Sequence, residues 1–282
     1  MAIEELKGRG VVITGAASGI GLALARSCAA EGMRLVLSDC EAGPLQAAAD
    51  ELGAHAVLAD VRDATSLEAL ATAAEAHLGA IDLLCANAGV SRMAAIERLT
   101  AQDWRWLFDV NVFGVVETVR AFLPRLKANP AGGHVVITAS LSSLYPTRSQ
   151  GAYAATKAAI AIYGETLALE LEGEGAQVGV SLVCPGPVRT NIGTCARNRG
   201  AAYPLAPPPD GSDIHEQAFR ASVRDGDWSR PEDIAGQALR AVRSGELWVI
   251  THPQMMAPVQ ARHRAIEAAA ARQAERQASP ER

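Results

Sequence analysis

Tyr153 and Lys157 stand four residues apart in the run GAYAATKAAIAIYGETLALELEG. Residues spaced i, i+4 share a helix face, so a phenol and an ammonium placed this way can meet. A free tyrosine titrates near ~10, too high for a base at neutral pH. A neighbouring cation favours the phenolate and lowers that value. The pair therefore suits proton transfer to or from an oxygen, whereas an isolated Y-x-x-x-K is ordinarily a surface lysine beside a half-buried tyrosine. The elements around the pair decide between these two readings.

Short apolar runs alternate with helical patterns through the first 190 residues. Strands are expected at 10–14, 34–38, 55–59, 81–86, 134–139 and 177–184. Most are continuous apolar runs, as in strands covered on both faces. Helices are expected at 19–31, 43–52, 66–78, 101–127 and 151–172. Gly32 and Gly53 fall where helix C-caps belong, Thr100 with Asp103 forms a capping-box pattern, and Asn129-Pro130 stops the fourth helix. Repeated β-α units imply an α/β fold, a doubly wound parallel sheet in a single domain. Beyond residue 191 the pattern breaks at the Pro-rich AAYPLAPPPDG. Residues 213–225 read as weakly helical, 230–244 as a helix with Pro231 in its first turn, and 246–251 as a last strand. The main domain then covers 1–258, and 259–282 is a charged helix fraying into disorder.

The composition fits this plan. The chain has 282 residues, a formal charge of −5 and 49% hydrophobic residues. Mild acidity argues against nucleic-acid or anionic-membrane partners. Cys28, Cys40, Cys85, Cys184 and Cys195 are scattered with no C-x-x-C pair, as expected of reduced thiols in a cytoplasmic protein. The N-terminus has no apolar h-region and no run reaches membrane-spanning length. The histidines show no metal-ligand spacing, so no catalytic metal is expected.

The first strand runs into TGAASGIG (14–21) and then a helix. Gly15 allows a tight turn, Gly19 lets the backbone approach a pyrophosphate, and Gly21 lets helix and strand pack closely. The helix N-terminus offers N–H groups and partial positive charge to phosphates. Asp39 ends the second strand, 24 residues after Gly15. An acid there can accept from adenosine ribose hydroxyls and repel a 2′-phosphate. No Arg or Lys lies in the glycine loop or directly after Asp39, so NAD is expected over NADP. Asp60, ending the third strand, is placed either to meet the adenine amino group or to cap a turn.

These motifs resemble the short-chain dehydrogenase/reductase family of NAD(P)-dependent oxidoreductases, in its common form of about 250 residues. The likeness runs in order through TGAASGIG, NAG (87–89), NVFG (111–114), Ser140 in ITAS, YAATK (153–157) and PGPVRT (185–190). It implies a Rossmann fold and an alcohol dehydrogenase or ketone reductase. Tyr153 would be the general acid/base, Lys157 would lower its pKa and bond the nicotinamide ribose, and Ser140 would hold the substrate oxygen. Ser142 and Ser143 compete for that last role. Asn111 would position a water linking Lys157 to solvent, and Asn87, Ala88 and Gly89 would pack beside the cofactor. Ser18, Ile20 and Val61 join the cofactor contacts by the same likeness. So do Pro185, Gly186, Val188 and Thr190, the last holding the carboxamide. An epimerase or dehydratase, or a non-catalytic dinucleotide sensor, would be expected to have altered motifs; these are intact.

A substrate would lie between residues 90–96, 141–151 and 187–206. Met93, Leu144, Tyr145, Pro146, Pro187 and Ile192 make that lining largely apolar, which suits a hydrophobic secondary alcohol or ketone, aromatic ones included. Ser142 and Pro187 are its nominated substrate contacts beside Ser140 and Tyr153. Arg92, Arg148, Arg197 and Arg199 leave room for a carboxylated substrate. The long segment 191–228 is placed to act as a lid. The family likeness implies a homodimer or homotetramer through the helices at 101–127 and 151–172.

Overall fold

The computed structural model describes residues 1–204, 217–218, 221 and 228–278. The chain divides into two compact units, Met1–Thr251 and His252–Arg282. The first carries seven strands: β1 Gly10–Thr14, β2 Arg34–Asp39, β3 His55–Leu58, β4 Leu83–Ala86, β5 Gly133–Thr138, β6 Val178–Cys184 and β7 Trp248–Ile250. They form one sheet in the order β3-β2-β1-β4-β5-β6-β7. Every pairing is parallel. The order reverses between β1 and β4, and an open α/β sheet binds ligands outside the strand ends at such a switch point.

Helices α1 Gly19–Ala30, α2 Ala42–Leu52, α3 Ala64–Leu78, α4 Ala101–Phe108, α5 Gly114–Ala128, α6 Gly151–Gly173 and α7 Pro231–Ser244 link and cover the strands. Alternation within each strand divides the core into two layers. Val11, Ile13, Leu35, Leu37 and Val183 pack with α1 and α7. Val12, Val36, Leu84, Val135 and Ile137 pack with α3, α5 and α6 through Leu70, Phe122 and Ile160. Both faces are covered, which explains why the strands read as unbroken apolar runs.

Most element ends fall within two residues of their expected positions. Gly53 is left-handed at the α2 C-cap, Gly32 is left-handed just past the α1 cap, and Thr100 and Asp103 form the capping box. Ile81 and Asp82 lie ahead of β4, where the Asp82 carboxylate accepts from Arg9 and from the Gly10 N–H (2.8 and 2.7 Å). Only Trp248–Ile250 of the expected last strand pairs. The helix expected over 101–127 is two helices joined by a π-helical turn, Asp109–Phe113. A π turn spends one more residue per hydrogen-bonded ring than an α turn, and its hydrophobic pattern does not announce it.

The second unit holds the helix α8, Ala257–Ala278; residues 279–282 lie outside the described residues. Most of 213–225, read as weakly helical, lies there too. Among the described residues no helix is long and apolar enough to cross a membrane. No cluster of three metal-ligating side chains occurs among them.

His134, fully buried on β5, gives the fold a pH dependence. Its Nδ1 donates to Met1 O and its Nε2 meets Ser181 Oγ, both at 2.9 Å. Burial pushes its pKa down to about 4, whereas in an unfolded chain it titrates near ~6.5. Between those values the unfolded chain binds the extra proton, so this contribution is lost as pH falls from ~6.5 towards 4. Urea unfolding should show ~2 kcal/mol less stability at about pH 5 than at neutral pH from this group. His134→Asn should lack that component; an unchanged pH slope in the variant would contradict the assignment.

Candidate active site

The switch point is built from three backbone turns. After β1, Gly15 is left-handed (φ 67°), and a Cβ on it would lie 2.8 Å from Ala88 Cα. A Cβ on Gly21 would lie 2.0 Å from Gly15 O, so only glycine lets α1 fold back against the loop. Ser18 at the α1 N-cap makes no side-chain capping bond, which leaves first-turn N–H groups for an anion. Ile20 packs partly against the core beneath. After β4, Asn87 braces the loop. Its Nδ2 donates to Thr14 O and Gly15 O (3.1 and 3.3 Å) and its Oδ1 accepts from Thr138 (3.0 Å). Thr14 Oγ1 in turn accepts from Asn87 N and Ala88 N. After β2, Asp39 accepts from Ala17 N (3.0 Å) and Glu41 N (3.1 Å). The carboxylate thus ties the glycine loop to the β2 end and keeps lone pairs for a ribose. A narrow glycine cradle, an uncapped helix terminus and an acid at the next strand end fit a dinucleotide.

Across the cleft, α6 delivers Tyr153 and Lys157 to one face. Lys157 is 3% exposed. Its Nζ donates to Thr138 O (2.8 Å) and stands 5.8 Å from the centre of the Tyr153 ring. The Ser140 hydroxyl is the neighbouring side chain that favours the Tyr153 phenolate. Burial pushes Tyr153 up to about 12, against the lowering effect of Ser140. Burial also pushes Lys157 down to about 8. Burial disfavours the charged form of each group, and Ser140 favours the phenolate. Ser142 donates to Gln150 (2.8 Å) and its N–H bonds Ser140 Oγ (3.1 Å). Ser142 is thereby committed to the loop, while Ser143 Oγ is buried without a hydrogen-bond partner.

Asn111 lies in the π turn, fully buried. Its amide accepts from Val90 N (2.8 Å) and donates to Val90 O and Thr156 Oγ1 (2.9 and 3.0 Å). The side chain clamps the strand-end segment 87–90 to α6. Gly89 stands between Asn111 and Lys157, since a Cβ there would meet Asn111 Oδ1 and Lys157 Nζ, each at 3.4 Å. Val61 packs against Gly114, where a Cβ would lie 2.8 Å away. The Asp60 carboxylate accepts from Arg62 N and grips the Arg62 guanidinium (2.5–3.0 Å).

The PGPVRT turn is fixed on both sides. Pro185 O accepts from Leu141 N (2.9 Å), which places Gly186 beside the Ser140 loop. Val188 is buried and bridges to Ser229, and Pro187 O accepts from Ser229 N (3.1 Å). Thr190 caps a 3₁₀ helix, Asn191–Asn198. A Cβ on Gly19 would touch its methyl at 3.2 Å. The start of the expected lid is thus fastened across the strand ends; most of the rest of it lies outside the described residues.

The four arginines do not act together. Arg197 pairs with Glu41. Arg199, 3% exposed, pairs with Asp103 (2.5 Å) and covers the Trp106 ring at 4.7 Å. Arg92 lies 3.9 Å from Asp103, and Arg148 is exposed. Arg197 at the surface and Arg199 in the interior are each already paired with a carboxylate of the protein. Thr14, Thr138 and Arg62 escaped the sequence reading. The two threonines each close an apolar strand, GVVIT and GHVVIT, and a lone hydroxyl at that place was the available signal.

The sheet, its switch point and the tyrosine–lysine centre define a dinucleotide-binding α/β protein. The family model described as short chain dehydrogenase matches residues 9–199, and the chain belongs to that family of oxidoreductases. The chain is 39% identical over 186 residues to the 1-deoxy-11-beta-hydroxypentalenate dehydrogenase of Streptomyces avermitilis, covering 64% of this chain and 68% of the relative. It is 28% identical over 277 residues to the C alpha-dehydrogenase of a Sphingobium species, covering 94% and 87%. A crystal structure of a Burkholderia phymatum short chain dehydrogenase/reductase in complex with NAD superposes with TM-score 0.90 at 37% identity, covering 94% of this chain and 96% of that one.

Proposed function

We propose that this chain is an NAD-dependent dehydrogenase of a hydrophobic secondary alcohol, aryl alcohols included, or the corresponding ketone reductase. The observation that carries the reading is buried Lys157 standing 5.8 Å from the Tyr153 ring centre on α6, with its Nζ held by Thr138 O at the end of β5. The dehydrogenase relatives and the NAD-bound neighbour support it. A bound nicotinamide dinucleotide supplies hydride transfer. The chain's own residues do the rest. Ser140 Oγ donates to the substrate oxygen, and the Tyr153 oxygen takes its proton in oxidation and returns it in reduction. Lys157 holds a proton behind Tyr153 and is placed for the nicotinamide ribose. Asn111 steadies the wall between them, with a water relay to Lys157 as its further role. Asp39 meets the adenosine ribose, with Asp60 and Val61 at the adenine. Gly15, Ser18, Gly19 and Ile20 meet the pyrophosphate. Asn87–Gly89 and the segment from Pro185 to Thr190 flank the nicotinamide. Met93, Leu144, Tyr145 and Ile192 are half-buried and line the substrate side with Pro187. The same reading places the protein in the cytoplasm as a homodimer or homotetramer; Phe113, Ile162 and Leu169, each more than half exposed, support a self-association face.

The test is the appearance of reduced nicotinamide with NAD or NADP and a panel of alkyl and aryl secondary alcohols. Ser140→Ala should lower kcat by ~10²-fold, and Ser142→Ala should leave it within about threefold, because Ser142 is spent on Gln150. No turnover across the panel with either cofactor, despite measurable NAD binding, would overturn the dehydrogenase reading.

A further inference from the structure

We propose that Glu41 sets the cofactor choice by holding the Arg197 guanidinium closed, which denies a 2′-phosphate the cation it needs. This rests on the reading that an adenosine ribose lies against Asp39. No basic residue near Asp39 in sequence can serve a 2′-phosphate, but the fold brings one from far along the chain. Arg197, on the 3₁₀ helix after Thr190, reaches the start of α2 and grips Glu41 in a fork: Nη2 to Oε2 at 2.6 Å and Nε to Oε1 at 2.8 Å. Its Nη1 donates to Thr194 O and Oγ1, both at 3.0 Å. Four of the five guanidinium N–H groups are thereby taken by the protein.

Glu41 is tied to the ribose acid itself, because its N–H donates to Asp39 Oδ1 (3.1 Å). Asp39, Glu41 and Arg197 are therefore one contiguous hydrogen-bonded set at the end of β2. The hydrogen bond from Arg197 outweighs burial and holds the Glu41 carboxyl below its usual range, so the acid stays ionised and the fork stays shut. The second guanidinium in this region, Arg62 at the end of β3, is closed in the same way on Asp60. A guanidinium fork binds carboxylate and phosphate with the same bidentate geometry. Without the Glu41 charge, Arg197 is the side chain placed to turn to a 2′-phosphate.

The Glu41–Arg197 pair is partly exposed (22% and 38%), so opening it does not threaten the fold. The test is calorimetric binding of NAD, NADP and 2′-AMP to the native chain, Glu41→Gln, Arg197→Ala and the double variant. Glu41→Gln should tighten NADP and 2′-AMP about tenfold and leave NAD within about twofold. Arg197→Ala should weaken NADP, because Glu41 is then an unpaired anion, and the double variant should lose the gain. An unchanged NADP affinity in Glu41→Gln would overturn the proposal. So would an equal gain from Glu41→Gln with and without Arg197, since removal of charge alone would explain it. If NAD fails to bind the native chain, the cofactor reading itself falls; if NAD binds and NADP gains nothing, only the role of Glu41 falls.

Discussion

Tyr153→Phe is expected to lower kcat by about 10³-fold while the affinity for NAD stays within about twofold. The ring is packed on α6 under Lys157, and phenylalanine keeps that packing and removes only the oxygen. The proton then has no group to carry it at the phenol's position. Burial holds the phenol up at about 12 in the protein's own surroundings. Alcohol oxidation, which needs the phenolate, should therefore accelerate as pH rises through the alkaline range. The variant should lose that rising limb together with its activity. Steady-state kinetics against pH, with NAD binding by calorimetry, check both parts. A variant that keeps more than about a tenth of the native kcat would remove Tyr153 from the chemistry.

Asp103→Ala is expected to cost about 3–5 kcal/mol of stability, the range for removing one partner of a buried ion pair. Asp103 and Arg199 are 5% and 3% exposed and meet at 2.5 Å. Burial raises the Asp103 carboxyl, but hydrogen bonds from Thr100 and Arg199 outweigh it and leave the group below the usual carboxylate range. Alanine strands the Arg199 charge over Trp106 and also removes the α4 capping box. Urea unfolding of the variant measures the cost. Replacing both partners with apolar residues, as in Asp103→Leu with Arg199→Met, should recover most of it, because no charge is then left buried. A cost below about 1 kcal/mol for the single change would mean that the pair is solvated. The same change frees the segment behind Thr190, so cofactor affinity should fall with stability.

Local chemistry determined a large part of this protein. Unbroken apolar runs had to be strands covered on both faces, and alternating helices then required a parallel sheet. Gly15, Gly19 and Gly21 were legible because only glycine tolerates those turns and contacts. Tyr153 and Lys157 were legible because helical spacing by itself places them on one face. The capping box at Thr100 and Asp103 was legible for the same reason, as a bond between neighbours in sequence.

Tertiary structure decided whatever depended on partners far apart in the chain. The π turn at Asp109–Phe113 follows from packing, with Gly114 against Val61 and Asn111 clamped to Val90 and Thr156. Sequence shows the charge of Lys157, and only the fold shows that burial opposes charge both on it and on the phenol. Arg197 and Arg199 looked available to a substrate until the fold set each beside its own carboxylate, Glu41 and Asp103. Spacing fixes which side chains share an element, since that is a matter of backbone geometry over a few residues. Which charges are neutralised, and which groups lose their water, depends on contacts across 96 and 156 positions of chain, and only the closed sheet brings those together.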